Sequence, residues 1–478
     1  MTSVPYVDEA WYSMPAWNLA QNGSIGTPSL EPADSPMPGM DVSLLRVRQH
    51  TYWMMPLPLV LQAGWYKIFG YSIFALRFFS LCWGLIALAA WFVLMRCLFG
   101  DSLLAELAVL LIATDSVFMA RAPFGRMDIM SAACGFWGMA AYICYRERNL
   151  TRAMWVSHSL VALSTLAHPN GGMISFLTLI AVIAYLDWRR IRFLHFLLAG
   201  VPYAIAGGGM LLYAMQDWTA FTSQFFHNTH GRFGFVSNPW GGIVGEFRRY
   251  AEFYGFNPNN ANFASHIKIV VLVVYAAAFL AMCFIPNLRP AKYHRTLILM
   301  AATSFVALML LDAYKVQWYL IYPIPSFAAL AAVCAFELKE HRRIVAAILG
   351  IIILIQVGSV LRLVVRNPYK HSYQPVIAYV KAQRQPNDIV MGSSELGFSL
   401  GYDGLDDDLR LGFHSGVRPA IIVVDERFRE AFAAFTQLEP EATNYIHNRL
   451  QNEYRVGYHT DDYTVYLLCE RLALCAKK

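Results

Sequence analysis

Apolar residues dominate a series of helix-length stretches along this chain, each followed by a short polar link, from about residue 72 to residue 364. The stretches fall at roughly 72–95, 102–120, 129–145, 153–167, 172–188, 193–215, 266–285, 296–311, 318–336 and 344–364. A helix crosses the hydrocarbon layer in about 20 apolar residues, and it satisfies its own backbone hydrogen bonds on the way, as lipid demands. The pattern predicts about ten transmembrane helices. Past residue 365 the apolar runs shorten to strand length, in Asp388-Ile389-Val390-Met391, Ala420-Ile421-Ile422-Val423-Val424 and Tyr463-Thr464-Val465-Tyr466-Leu467-Leu468. Helix-like segments at 373–384 and 426–436 lie between them, which predicts a small α/β domain. The expected fold is an α-helical polytopic membrane protein over 1–365, followed by a soluble α/β domain over 366–478.

Charge sets an orientation. If the segment before the first span lies outside, the inner short links carry Arg96, Arg146, Arg148, Arg152, Arg189, Arg190, Arg192, Arg289, Lys292, Arg295, Lys339, Arg342 and Arg343. The outer short links carry only Arg121, Arg126 and Lys315, so the positive-inside rule is obeyed throughout. The same parity places residues 1–71, a long loop at 216–265 and the C-terminal domain on the extracytoplasmic face of an inner, or plasma, membrane. Nothing in residues 1–30 reads as a signal peptide. An outer N-terminus with no apolar run ahead of it leads us to expect a first helix upstream of Met1.

Composition agrees: 57% hydrophobic, 15% charged and a mean hydropathy of +0.40 do not suit a soluble surface. The net charge of +6 is largely the topology signal, and no basic, aromatic-interleaved stripe points to nucleic acid. Six cysteines, Cys82, Cys97, Cys134, Cys144, Cys283 and Cys334, lie in or beside apolar runs and read as small hydrophobes. Cys469 and Cys475 have a spacing compatible with a disulfide. No zinc-type Cys/His spacing occurs, so a divalent metal would need carboxylate or histidine ligands.

The outer segments carry the candidate chemistry. Asp8 and Glu9, the first catalytic candidates, stand at the mouth of the bundle, and the same segment later supplies His50 and an amphipathic stretch, Tyr52-Trp53-Met54-Met55-Pro56-Leu57-Pro58-Leu59, suited to the membrane surface. Further outer links supply Arg121, Arg126 and Asp128; His168-Pro169-Asn170-Gly171; His227, His230 and Arg232; and Lys315, Gln317, Trp318 and Tyr319. Each also has a plain structural reading. Asp8 and Asp128 suit helix caps, His168-Pro-Asn-Gly suits a turn, His227 and His230 suit an ordinary loop, and Lys315 suits an interfacial anchor.

Taken in order, Asp8-Glu9-Ala-Trp-Tyr, then Gly70 and Arg77, then Arg126-x-Asp128, then His168-Pro-Asn-Gly, the chain resembles the polytopic GT-C glycosyltransferases of the protein O-mannosyltransferase and aminoarabinose transferase type. The resemblance spans about 6–365 and is firmest over 6–172. It implies a GT-C-like bundle and a donor sugar carried on a polyprenyl phosphate. It also implies transfer to a hydroxyl acceptor with inversion, Asp8 as catalytic acid or base, and Asp128 in support. The residues fit that chemistry. A carboxylate can take the acceptor proton, and fixed cations can meet the charge gathering on the departing phosphate. Lys315 and Arg232 are the first candidates for the phosphate, with Arg126 beside them and Tyr319 donating a hydrogen bond. His50, His168, Asn170, His227 and His230 are substrate-binding candidates, and a divalent metal could use Glu9, Asp128 or His50. Two other classes stay open, a transporter or flippase of lipid-linked glycans and a non-catalytic envelope binding protein.

Overall fold

The computed structural model describes residues 2–30, 44–229, 238–256, 266–285 and 292–471. Two helices precede the bundle, α1 (Val7–Asn22) and α2 (Pro56–Phe69). The bundle contains α3 (Ile73–Phe99), α4 (Ser102–Thr114), α5 (Ser116–Arg121), α6 (Asp128–Tyr145), α7 (Leu150–Ala167), α8 (Pro169–Asp187) and α9 (Phe193–Ala214). After the amphipathic α10 (Pro239–Phe253) it continues with α11 (Ile269–Phe284), α12 (Lys292–Leu311), α13 (Ile324–Glu337) and α14 (Arg342–Arg366). A helix thus stands at each of the ten expected spans. Among the described residues six helical stretches are long and apolar enough to cross a membrane, while 102–114 and 269–284 are shorter apolar helices.

Local chemistry fixes the boundaries. The Ser72 hydroxyl accepts from the Ala75 amide to start α3, and Gly100 ends it at a φ of 73°, where a side chain would be strained. Asp101 caps α4 and Asn149 caps α7 in the same way. Helix α6 is buried along nearly its whole length and packs on α3, α7 and α8. Gly171 lets α8 approach it: a Cβ there would lie 2.3 Å from the Ser131 hydroxyl and from the Tyr322 hydroxyl. The Gly207-Gly208-Gly209 run neither breaks α9 nor packs closely against a described neighbour.

One expectation about the chain's cysteines changes. Cys97 and Cys144, read as small hydrophobes, form a disulfide between the last turns of α3 and α6, with Cα atoms 5.4 Å apart. Two helices that start at the same end of the bundle bring their C-terminal turns together, a relationship that sequence spacing does not carry. Cys475 lies outside the described residues, so the Cys469–Cys475 pairing is not addressed.

The C-terminal region is the expected α/β unit. Strands β1 (Val390–Met391), β2 (Leu405–Asp406), β3 (Ile421–Val424), β4 (Tyr454–His459) and β5 (Thr464–Leu468) form one sheet in the order β2-β1-β3-β5-β4. Its β2-β1-β3 part is parallel, and β5 runs antiparallel to both β3 and β4. Three helices accompany it, α15 (Gln374–Gln383), α16 (Glu426–Leu438) and α17 (Pro440–Asn452). The N-terminal segment belongs as much to this unit as to the bundle. Met14 of α1 is buried among Tyr373, Val376, Val390 and Ile421, Leu30 bridges to Asp407, and the Tyr71 and Tyr402 hydroxyls lie 2.6 Å apart. Helix α1 is thereby clamped between membrane bundle and sheet, and its first turn carries Asp8 and Glu9.

Candidate functional site

Asp8 and Glu9 are adjacent in sequence and opposite in role, because successive residues of a helix point about 100° apart. Glu9 is fully buried and fully bonded. One of its oxygens accepts from Arg77 Nε at 2.8 Å and from the Gly125 amide at 3.0 Å, and the other accepts from Arg77 Nη2 at 2.7 Å and the Tyr6 amide at 3.1 Å. It ties the start of α1 to α3 and to the link before α6. Expected as a catalytic or metal-binding group, Glu9 has no lone pair left for either task.

Asp8 faces the other way, with its side chain 21% exposed. Arg126 Nη1 donates to Asp8 Oδ2, and Arg126 Nε donates to Asp128 Oδ2 at 2.8 Å, so one buried guanidinium bridges both acids. Its flat faces are covered by Tyr12, at 4.8 Å to the ring centroid, and Trp318, at 5.2 Å. Burial pushes the Asp8 carboxyl above its ordinary range, and the Arg126 charge and hydrogen bond restrain that rise. Asp8 Oδ1 makes no hydrogen bond among the described residues, which leaves it available to a substrate proton.

Asp128 extends the cluster. It is the first residue of α6, whose cap is Met127, and its Oδ1 lies 3.9 Å from His168 Nε2. His168 is the single residue between α7 and α8, where its Nδ1 accepts from the Gly171 amide. The turn expected at His168 and a site position are thus the same feature. The His168 ring lies 5.2 Å from that of Tyr319.

These rings open onto a cavity of about 620 Å³ lined by Tyr12, His168, Asn170, Asn228, Thr229 and Tyr319 on its polar side. Trp53, Met55, Met127, Met173, Phe225 and Phe226 form its apolar wall. Tyr12 stands one helical turn beyond Asp8 on the same face of α1. A second cavity, of about 540 Å³, is lined by Val4, Pro5, Tyr6 and Val7, which precede Asp8 in the chain, and by residues of the C-terminal domain.

Several expected residues stand elsewhere. Lys315, in a left-handed conformation at φ 56°, donates to Glu246 Oε2 at 3.1 Å and to the Met309 carbonyl at 2.8 Å. Glu246 is itself held by Arg249, which also bonds Asp312, so the lysine charge closes a buried ionic knot. That is a correction to its reading as a free phosphate ligand. His50 stacks on Tyr52 and is not part of the cavity wall. His227 is exposed, next to the cavity-lining Asn228. Arg232 and His230 lie outside the described residues. No group of three His, Cys, Asp or Glu side chains suited to a metal converges among the described residues. The three expected ligands, Glu9, Asp128 and His50, sit in three separate settings, a donor set that does not fit a metal.

Arg121, given no role from sequence, stands apart from the other cations. Its guanidinium lies 3.7 Å from the Trp318 ring centroid and 5.3 Å from that of Phe253, its Nε lacks a partner, and no carboxylate pairs with it among the described residues. It was visible in sequence as one of the three outer-link cations. What sequence could not show is that the other two, Arg126 and Lys315, are already neutralised.

No protein-family model matches the chain, and no curated protein matches it. Among solved structures it is similar to ArnT from Cupriavidus metallidurans bound to undecaprenyl phosphate, at 13% identity and a TM-score of 0.62, over 97% of this chain and 94% of that one. The apo form of the same protein aligns at 14% identity and 0.59, over 98% and 94%. The Archaeoglobus fulgidus oligosaccharyltransferase in complex with Zn and sulfate aligns at 14% identity and 0.50, over 96% of this chain and 69% of that one. The chain therefore shares the overall fold of these solved structures.

Proposed function

We propose that this GT-C-fold chain is a membrane glycosyltransferase that moves a sugar from a polyprenyl-phosphate donor to a hydroxyl acceptor at the extracytoplasmic face. The observation that carries the reading is Asp8: a carboxylate bridged by Arg126 to Asp128, with one oxygen uncommitted among the described residues, and flanked on α1 by Val7 of one cavity and Tyr12 of the other. The similarity in fold to a protein bound to undecaprenyl phosphate supports a lipid-phosphate donor.

In this reading Asp8 takes the proton of the acceptor hydroxyl as its oxygen attacks the anomeric carbon. The new carbon–oxygen bond forms as the sugar–phosphate bond breaks, the bonding pair leaves with the lipid phosphate, and a single displacement inverts the centre. Burial moves the Asp8 carboxyl upward, toward the pH at which a general base works best. Arg126 fixes its direction without cancelling it, because the same guanidinium also serves Asp128. The larger, mostly apolar cavity suits the sugar and first prenyl units of the donor. Arg121, which no carboxylate pairs among the described residues, is our candidate to meet negative charge on the leaving phosphate, with Arg232 as a further candidate.

The test is the lipid pool of the source cells. Deleting the protein should cause a polyprenyl-phosphate sugar to accumulate, as read by mass spectrometry of extracted lipids, and re-expression should clear it. An unchanged pool of lipid-linked sugars would overturn the reading.

A further inference from the structure

The second cavity has a different chemistry from the first. Its wall in the C-terminal domain carries Glu395, Asp425, Glu426, Glu430 and Asp462, and its single cation, Arg427, is tied at 2.6 Å to Asp407 outside it. Asp425 is engaged as the cap of α16, accepting from the Phe428 amide at 2.9 Å. Glu426, Glu430 and Asp462 form no ion pair among the described residues. Glu395 is the informative member: it is 6% exposed, and its Oε2 is buried with no hydrogen-bond partner. A buried carboxyl oxygen without a partner is costly, and here it lies in the wall of a 540 Å³ space. Burial, and then the neighbouring Asp425, push the Glu395 carboxyl well above the ordinary range, toward its protonated form, and a cation bound beside it would draw it back to the ionised form.

These acids are spread over three elements, namely the turn at Ser394–Leu396, the start of α16 and the β4–β5 turn. Among the described residues no three carboxylates or histidines come together as one metal would require. An extended organic cation fits the spacing better than a point charge. Tyr6 and Tyr463 add aromatic rings to the wall, and a ring face attracts an ammonium or guanidinium group. The cavity also ends at Val7, one residue from Asp8.

We propose that this cavity is the acceptor subsite, and that it selects an acceptor carrying an ammonium or guanidinium group near the reacting hydroxyl. The proposal rests on the glycosyltransferase reading for the word acceptor; the cation specificity stands on the cavity alone. Bound there, the cation supplies the hydrogen bonds that Glu395 lacks and places the hydroxyl toward Asp8.

The experiment uses the full chain in nanodiscs at low salt and neutral pH, without donor lipid. Binding of a labelled, end-blocked Lys-Ser-Lys peptide is compared by fluorescence anisotropy with the same peptide acetylated on both lysines. The charged peptide is expected to bind at least tenfold more tightly. That preference should fall to near unity in Glu395→Gln and in the double variant Glu430→Gln/Asp462→Asn, whose exposed positions leave the core intact. Equal binding of the two peptides, no binding of either, or a preference that survives both variants would overturn the subsite. Because no transfer is needed, the two readings fail separately. A charge preference with unchanged lipid-linked sugars on deletion would sink the transferase reading alone, whereas sugar transfer without any charge preference would sink the subsite alone.

Discussion

Arg126 holds Asp8 and Asp128 with a single buried guanidinium, donating from Nη1 to one carboxylate and from Nε to the other. Removing it leaves two acids with no cation between them. Breaking a buried pair by deleting one partner costs about 3–5 kcal/mol. Arg126→Met is therefore expected to lower the melting temperature and to abolish most transfer. In the Asp8→Asn/Arg126→Met double variant the transfer losses should not add, because both substitutions disable one unit. Multiplicative losses in a transfer assay would show that the two residues act independently.

Glu9 gives the opposite prediction from its neighbour. With every lone pair engaged by Arg77, Gly125 and Tyr6, it holds the frame and not the substrate. Glu9→Gln should cost stability on the order of 3–5 kcal/mol, the range for a broken buried ion pair, while transfer per folded molecule falls less than tenfold. A hundredfold loss in a variant with an unchanged melting temperature would return Glu9 to the chemistry.

The pH profile follows from the direction of the Asp8 shift. Burial raises its carboxyl, Arg126 limits the rise, and a general base must be ionised to act. Activity is thus lost as pH falls through the raised value, so the acid limb of kcat/KM should lie above the ordinary aspartate value of about 3.9. An acid limb at or below that value would contradict the assignment.

The donor phosphate distinguishes Arg121 from Lys315. Lys315 is committed to Glu246 and the Met309 carbonyl, so Lys315→Met should lower thermal stability and leave apparent donor affinity unchanged. Arg121→Met should weaken donor binding by about 1.5–3 kcal/mol, the range for a hydrogen bond to a charged group. Titrating donor lipid against both variants decides the matter; the reverse pattern would restore Lys315 to the phosphate.

The parts of this molecule legible in sequence are those set by local pattern. Each of the ten helix-length apolar runs holds a bundle helix, the run at 102–120 holding both α4 and α5, and strand-length runs located β1, β3 and β5. The short strand at Leu405–Asp406 and the polar strand at Tyr454–His459 were not seen, because neither carries an apolar run. Asp8, Arg126, Asp128, His168 and Tyr319 were all among the candidates, and the structure brings them near one another. What sequence could not resolve is which charges are already spent. Glu9 and Lys315 look as reactive as Asp8 and Arg121 in a linear chain, and only their partners at Arg77 and Glu246 show otherwise. The acidic cavity was hidden because its wall joins Tyr6 to Glu395, residues that the whole bundle separates in sequence.

The most direct measurement is sugar transfer by purified Asp8→Asn. The substitution keeps the size of the side chain and its hydrogen bonding toward Arg126 while removing the base. Wild-type protein and variant, matched in melting temperature, would be given lipid-linked sugars and acceptor membranes from a deletion strain. Transfer by the variant is expected to fall by about a hundredfold or more, the lower range of a general-base contribution. Transfer at the wild-type rate would contradict the account.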